Sequence, residues 1–150
     1  MLQVFSMAHG HEYWDETMAL ADSCSWKAGP FLARLMRQNQ FRCWERVFAA
    51  HEDGKVIGFC TLTQKDELPE IYGYTPFIGF VFVDEPYRGK RISENMIRHT
   101  VAYAHTLGYE TVYLMSGEHG LYEKYGFIKM GDFETIFGSV DQLYKKSTNL

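Results

Sequence analysis

Residues 77–93 read FIGFVFVDEPYRGKRIS, and this stretch predicts the centre of the fold. The run from Phe77 to Val83 is almost continuously apolar, which is typical of a strand that is covered on both faces of a sheet. Gly79 within it indicates a bulge or a close backbone approach. The run Asp84-Glu85-Pro86 predicts a turn, and apolar residues recur at helical spacing from Ile92 onward. The stretch therefore predicts a buried central strand that leads through a basic turn directly into a helix.

The segments on either side predict alternating helices and strands. Upstream, the pattern predicts a helix over 11–26, a second helix beginning at Pro30 with Phe31, Leu32, Leu35 and Met36 buried, a β-hairpin over 47–62, and a loop over 64–75. Downstream, it predicts a helix from Ile92 that ends near Gly108, a strand at 111–115, a short helix at 121–125, and strands around 127–130 and 142–146. This order predicts one α/β domain over residues 1–150, with a mixed sheet flanked by helices.

The composition excludes several classes of protein. Hydrophobic residues make up 46 % of the 150 residues, which is enough for the core of one domain, and the formal charge of −4 argues against a nucleic-acid binder. The three cysteines, Cys24, Cys43 and Cys60, show no paired spacing, so we expect no disulfide framework and no zinc site. Neither a membrane span nor a signal peptide is recognisable. We therefore expect a cytoplasmic protein that has no bound metal and no membrane or nucleic-acid partner.

The turn between the strand and the helix has the chemistry of a phosphate-binding site. The first amide groups of a helix have no partner inside the helix and point outward, and with the helix dipole they attract anions. Gly89 allows a ligand to approach the backbone closely, and Arg88 and Lys90 add positive charge. A basic turn alone is most often just solvated, but a pyrophosphate group fits a turn in this position.

Two segments resemble motifs of the GNAT family of N-acetyltransferases. The run RGKRIS at 88–93 resembles the motif that binds the pyrophosphate of acetyl-CoA in that family, and LYEKYGF at 121–127 resembles a second motif. The resemblance covers roughly residues 44–132 and implies the GNAT-type acyl-CoA N-acyltransferase fold, with a first strand that is short or missing. It also implies an extended cofactor along the central strand, where a main-chain N–H near Phe82 or Val83 polarises the thioester carbonyl. The cofactor-binding residues that it implies are Phe82, Val83, Arg88, Gly89, Lys90, Arg91, Ile92 and Ser93.

The second motif implies the identity of the catalytic acid. In the family, the tyrosine at the position of Tyr122 protonates the departing thiolate of CoA. A phenol with a pKa of about 10 can donate a proton to a thiolate whose conjugate acid has a pKa of about 8.5, as the charge develops. Glu70 and His119 are the further catalytic candidates; Glu70 lies in the loop before the central strand, and His119 lies in the loop before the short helix.

Three positions depart from the family's pattern. Ser93 stands in place of glycine or alanine and is small enough to keep the close approach. Arg91 stands where the family usually has glycine, so we expect position 91 to lie already in the first helical turn with an ordinary helical φ. Its side chain would then be free to reach the phosphates. Met115 stands where the family often has an asparagine that contacts the cofactor arm.

The resemblance implies transfer of an acetyl group from acetyl-CoA to a primary amine of a small molecule by direct attack. Two alternatives stay open, namely a non-catalytic sensor that binds acyl-CoA and an N-acetyltransferase for proteins or peptides. We expect residues 1–43 and 64–75 to form the acceptor site. The last strands, between Phe127 and Lys146, could pair two copies of the chain in a homodimer.

Overall fold

The computed structural model describes residues 1–149, which form seven strands and four helices. The strands are β1 (Gln3–Met7), β2 (Arg46–Glu52), β3 (Lys55–Thr63), β4 (Phe77–Val83), β5 (Thr111–Ser116), β6 (Ile128–Glu134) and β7 (Val140–Ser147). The helices are α1 (Trp14–Ser23), α2 (Gly29–Arg37), α3 (Ile92–Thr106) and α4 (Leu121–Lys124). Single 3₁₀ turns lie at Glu70–Tyr72 and Glu85–Tyr87.

All seven strands belong to one sheet, in the order β1-β2-β3-β4-β5-β7-β6. Each pair of neighbours is antiparallel except β4 and β5, which are parallel. Parallel neighbours need a long crossover connection, and here that connection is α3. The predicted α/β class, with a mixed sheet between helices, is confirmed.

Helices cover both faces of the sheet, and the alternation along β2 shows which side is which. Phe48 and Ala50 pack in the core beneath α3, whereas Val47 and Ala49 pack in the core beneath α1 and α2. Because both faces are covered, all of 47–50 are buried, as the unbroken apolar composition of the strand predicts.

A bulge interrupts the pairing of β3 with β4. Thr61 pairs with Gly79 and Phe59 pairs with Phe82, so two residues of β4 face one residue of β3. Phe80, the first of these two, has φ of +50°. Gly79 therefore marks the correct place, but the adjacent phenylalanine carries the left-handed backbone.

Beyond the bulge, β4 separates from β5. Within residues 1–149 the ladder between these strands is limited to Phe77 with Tyr113 and Ile78 with Leu114. The second half of β4 therefore borders an opening in the sheet on the side of β5. The turn after β4 and the loop after β5 both lie at that opening.

Most predicted elements are confirmed, and the expected burial of one residue differs. The central strand has the predicted bounds, the hairpin forms, and Gly108 follows the end of α3 with φ of +92°. The first strand, expected to be short or missing, is present as the five-residue β1, which pairs along its whole length with β2. The expected burial of Phe31 is wrong, because this side chain is 50 % exposed and Ala33 packs in the core instead.

We expect the substitution Gly58→Ala to destabilise the centre of the sheet. A Cβ atom on Gly58 would lie 2.8 Å from the carbonyl oxygen of Phe82 and 3.4 Å from Cε of Met96, so backbone must shift to admit it. Overpacking of this kind costs about 1–3 kcal/mol of unfolding free energy. Urea unfolding followed by circular dichroism measures the loss.

The matched control is Gly117→Ala, because a Cβ there meets only Oδ1 of Asp141 at an ordinary 3.6 Å. We expect this control to unfold at the urea concentration of the parent. Equal urea midpoints for the parent and Gly58→Ala would show that the backbones of β3 and β4 do not approach each other closely at Gly58.

Candidate active site

Two adjoining cavities lie at the opening between β4 and β5. The turn cavity, of about 770 Å³, lies beside the turn that joins β4 to α3, and the acidic cavity, of about 340 Å³, lies between the ends of β4 and β5. Both cavities have the size of ordinary small-molecule sites. The residues that line both are Trp26, Val81, Glu118 and Tyr122. These four residues, the junction of the two cavities, mark where groups bound in one would meet groups bound in the other.

The turn cavity brings together most of the residues that the first motif predicts. Those that line it are Phe82, Val83, Arg88, Gly89, Arg91, Ile92 and Ser93, whereas Lys90 does not line it. Gly89 has φ of +83°, and a Cβ there would meet no atom within 4 Å, so the backbone at this position is open to a ligand. Ile92 and Ser93, the first residues of α3, line the same cavity, and the first amides of a helix have no partner inside it.

The basic side chains of the turn are engaged with the protein itself. Nε of Arg88 donates a hydrogen bond to the carbonyl oxygen of Val83 at 2.8 Å, and its guanidinium lies 5.4 Å from the ring centroid of Phe82. Lys90 lies over the ring of Tyr87, with Nζ 5.7 Å from the centroid. Arg88 thereby ties the turn back onto β4.

The expectation of a helical φ at Arg91 is wrong. Arg91 is the N-cap of α3, and its φ of +60° and ψ of +29° are left-handed. Its guanidinium donates to both carboxylate oxygens of Glu94, at 2.7 and 2.9 Å, in an exposed bidentate pair. The chain therefore keeps the backbone shape that a glycine would adopt there, although it carries a large side chain.

The direction of the main-chain N–H groups can be followed along the end of strand β4. The N–H of Asp84 donates to the carbonyl oxygen of Ile57 at 2.8 Å, so the amide of Asp84 points toward β3. Amides alternate in direction along a strand, and the N–H of Val83 therefore points away from β3, toward the side where β5 has separated. Of the two predicted positions, Val83 has the geometry to polarise a carbonyl, whereas Phe82 pairs directly with Phe59 of β3.

Tyr122 stands at the junction, on the first turn of α4. Its side chain is buried, with 6 % exposed, and it packs in the core beneath α3. Burial raises the pKa of the phenol above its ordinary value, and the negative charges nearby, including Glu118, add to the rise. The phenol is therefore protonated across the physiological pH range.

Four carboxylates line the acidic cavity, from Asp66, Glu67, Glu118 and Asp141. They come from the loop after β3, the loop after β5, and the start of β7. Burial raises the pKa of Asp66 to about 7, and repulsion by Glu67 and Asp141 contributes to the rise. The pKa of Glu67 is raised as well, by burial and by Asp141.

The other two predicted catalytic residues lie away from these cavities. Glu70 is exposed, and its carboxylate pairs with Nζ of Lys65 at 3.0 Å. His119 is also exposed, and neither residue lines the turn cavity or the acidic cavity. In contrast, Glu118, the neighbour of His119, lies at the junction, and its carbonyl oxygen accepts hydrogen bonds from Gln142 at 2.8 Å and Tyr144 at 3.2 Å.

The sequence matches the profile of the Acetyltransferase (GNAT) family over residues 10–127. The chain belongs to this family. The match extends further toward the N-terminus than the two motifs alone indicated, and it includes both α1 and α2. As a GNAT acetyltransferase, the protein uses acetyl-CoA as its acyl donor.

Solved structures with the same fold include other acetyltransferases. An aminoglycoside 6'-N-acetyltransferase complexed with coenzyme A superposes with a TM-score of 0.73 at 13 % identity, covering 99 % of this chain and 98 % of that one. An aminoglycoside 6'-acetyltransferase type Ii superposes with a TM-score of 0.75 at 14 % identity, over 99 % and 98 % of the two chains. A chimera of the spermidine N-acetyltransferase SpeG from Vibrio cholerae and hSSAT gives 0.69 at 17 % identity, over 98 % and 95 %. No curated protein matches the sequence.

Sequence reasoning about this GNAT acetyltransferase missed the acidic cavity. Asp66 and Glu67 lie in the loop that was expected to form part of the acceptor site, but neither was among the predicted catalytic residues. Asp141 lies far from the motifs along the chain, and nothing in its sequence context indicates a site.

Within residues 1–149, no helix is long and apolar enough to cross a membrane.

The pair of variants Arg91→Gly and Arg91→Ala separates backbone strain from the ion pair. Both lose the contact with Glu94, which contributes little on an exposed surface, but only glycine relieves the left-handed φ. We expect Arg91→Gly to melt about 2–4 °C above Arg91→Ala. Differential scanning fluorimetry measures this difference, and identical melting temperatures would contradict the left-handed backbone.

We expect Asp66→Asn to stabilise the protein at pH 8 but not at pH 4. The folded state raises the pKa of Asp66 from its ordinary value near 4 to about 7, so folding favours the neutral carboxyl. The parent therefore loses stability as the pH rises through this window, and asparagine removes that loss. The melting temperature at pH 8 should rise by about 2–4 °C.

The control for this pH effect is Asp22→Asn, at an exposed carboxylate that lies 3.7 Å from Arg37. It should gain no stability at either pH. A gain for Asp66→Asn that is the same at both pH values would contradict the raised pKa.

Proposed function

We propose that the protein transfers the acetyl group of acetyl-CoA to a primary amine of a small molecule by direct attack. The observation that carries this proposal is the position of Tyr122, which lies where the turn cavity meets the acidic cavity. A donor with phosphates fits the first cavity, and an amine, which is cationic in water, fits the second.

The turn cavity has the features that coenzyme A requires. The backbone at Gly89 is open, the first amides of α3 form an anion site, and the apolar second half of β4 borders the cavity. The residues proposed to hold the donor are Phe82, Val83, Arg88, Gly89, Arg91, Ile92 and Ser93, and the bound molecule supplies the reactive thioester. The N–H of Val83 would polarise the carbonyl of that thioester.

Two side chains at the junction are proposed to handle protons. Tyr122 holds a proton on its phenol and donates it to the sulfur that leaves. Glu118 accepts the proton that the attacking amine loses, and this assignment replaces Glu70 and His119, which the structure places elsewhere. The main chain of Glu118 is fixed by Gln142 and Tyr144, so its carboxylate starts from a rigid support.

The comparison structures support an amine acceptor, because their names specify aminoglycosides and spermidine. The volume of the acidic cavity, about 340 Å³, favours a small molecule over a protein segment. Self-association through the edge strand β6, where Ile128 is 64 % exposed, stays a prediction.

Release of free thiol from acetyl-CoA, measured against a panel of amines, amino acids and peptides, tests the proposal. Turnover with small amines would support it. Turnover restricted to peptides would favour the protein N-acetyltransferase. Binding of CoA with no turnover on any amine would favour the non-catalytic sensor.

We expect Tyr122→Phe to lower kcat by roughly ten- to a thousand-fold and to leave KM for acetyl-CoA nearly unchanged, because the variant loses only the proton donor. The matched control is Tyr125→Phe, since Tyr125 lines the turn cavity but bonds Oγ of Ser93 at 2.8 Å instead of reaching the junction. Steady-state kinetics with saturating amine measures both variants. An unchanged kcat in Tyr122→Phe, with chemistry rate-limiting, would remove Tyr122 from the mechanism.

A further inference from the structure

The carboxylates of the acidic cavity have no cationic partner within the described part of the chain. Asp66, Glu67, Glu118 and Asp141 line the cavity together with apolar and neutral residues, and no Lys, Arg or His lines it. None of the four takes part in an ion pair within residues 1–149. Four carboxylates in one small cavity repel one another unless a positive charge from outside enters.

Asp66 lies beside Gly79, one of the residues that line the same cavity. A Cβ built on Gly79 would lie 3.6 Å from Oδ2 of Asp66 and 3.4 Å from Oγ1 of Thr61. Thr61 is 1 % exposed and does not line the cavity, so Asp66 is the one of these two polar groups that a bound amine can reach.

The four carboxylates divide into two places. Glu118 lies at the junction beside Tyr122, whereas Asp66, Glu67 and Asp141 line only the acidic cavity. An amine must be neutral to attack, yet a carboxylate beside it favours the charged form. A second ammonium group, held away from the reacting nitrogen, resolves this conflict because it supplies binding energy and never has to lose its proton.

We propose that the acceptor is a small amine with at least two cationic nitrogens. The nitrogen that reacts lies by Tyr122 and Glu118, and a second ammonium group is held by Asp66, Glu67 and Asp141 above Gly79. This proposal rests on the acetyl transfer proposed for the same site, and it assigns to the three distal carboxylates the role of selecting the substrate.

The spacing of the carboxylates fits an organic cation. Within residues 1–149, no three His, Cys, Asp or Glu side chains are grouped closely enough to hold a metal ion. The carboxylates are thus spread around the cavity and do not meet at one position. This spacing suits ammonium groups that are separated by several bonds.

The charges around Asp66 support the same conclusion. Burial raises the pKa of Asp66 and repulsion by Glu67 and Asp141 adds to the rise, so a cation bound beside it would lower that pKa and favour the carboxylate. On the other side of Asp66, a neighbouring cavity is lined by Arg42, Glu45 and Lys65. Lys65 pairs with Glu70, and the carboxylate of Glu45 accepts from the main-chain N–H groups of Arg42 and Gln64, at 2.6 and 2.7 Å.

Thiol-release kinetics with amines of matched length but different charge tests the proposal. We expect kcat/KM to be at least about tenfold higher for 1,4-diaminobutane than for n-butylamine, the gain expected from a charge-assisted contact. Spermidine and an aminoglycoside form two further arms, which distinguish a linear polyamine from a polycationic sugar. Equal values for the diamine and the monoamine would overturn the proposal.

Variants of the distal residues sharpen the test. Asp66→Asn and Glu67→Gln should each lower kcat/KM for the diamine by about tenfold and leave that for n-butylamine within about twofold. The control Glu134→Gln neutralises an exposed carboxylate on β6 and should change neither value. Equal losses for both amines would show a structural role only.

Calorimetry separates failure of this proposal from failure of the proposed reaction. Spermidine should bind to the parent in the presence of CoA, and Asp66→Asn should bind it about tenfold more weakly. Such binding without thiol release on any amine would refute acetyl transfer and support the cation site. Thiol release from monoamines, without higher kcat/KM for amines that carry a second charge, would support acetyl transfer and refute the cation site.

Discussion

The parallel pairing of β4 with β5 is the constraint on which the site depends. Parallel neighbours cannot be joined by a hairpin, so the chain must leave the end of β4, cross the sheet as α3, and return to β5 in the same direction. Both strands therefore finish at one edge of the sheet. The start of α3 and the start of α4 meet at that edge, and this is why the amides of one helix and Tyr122 of the other border the same opening.

The bulge at Phe80 and Val81 makes that opening usable. The extra residue turns β4 away from β5 after Ile78, and the backbone that β5 would have paired is free to meet a ligand. The two cavities that result differ in their electrostatic character. The amides of α3 favour anions on one side, and the carboxylates of the acidic cavity disfavour them on the other, so a polyanionic donor has only one orientation that brings its far end to Tyr122.

The sequence predicted the frame of this site better than its chemistry on the acceptor side. The central strand and the helix after it follow from local patterns, namely an unbroken apolar run and a helical repeat, and both lie where they were predicted. Arg91 shows the limit of local reasoning. The turn imposes a left-handed φ that arginine does not prefer, and neither Arg91 nor its ion-pair partner Glu94 indicates this φ from the sequence. Asp141 shows a second limit, since it reaches the cavity only through the pairing of β7 with β5.

The acidic cavity holds a feature that a fold selected for stability alone would lack. Asp66 lies where burial and neighbouring charge favour its neutral form. Ionising this carboxyl costs folding free energy, and asparagine would remove the cost with little change of shape. A cationic N–H donor bound beside Gly79 would lower the pKa of Asp66 and pair with its carboxylate. The cavity is therefore unfavourable when empty and complementary to a cation when filled.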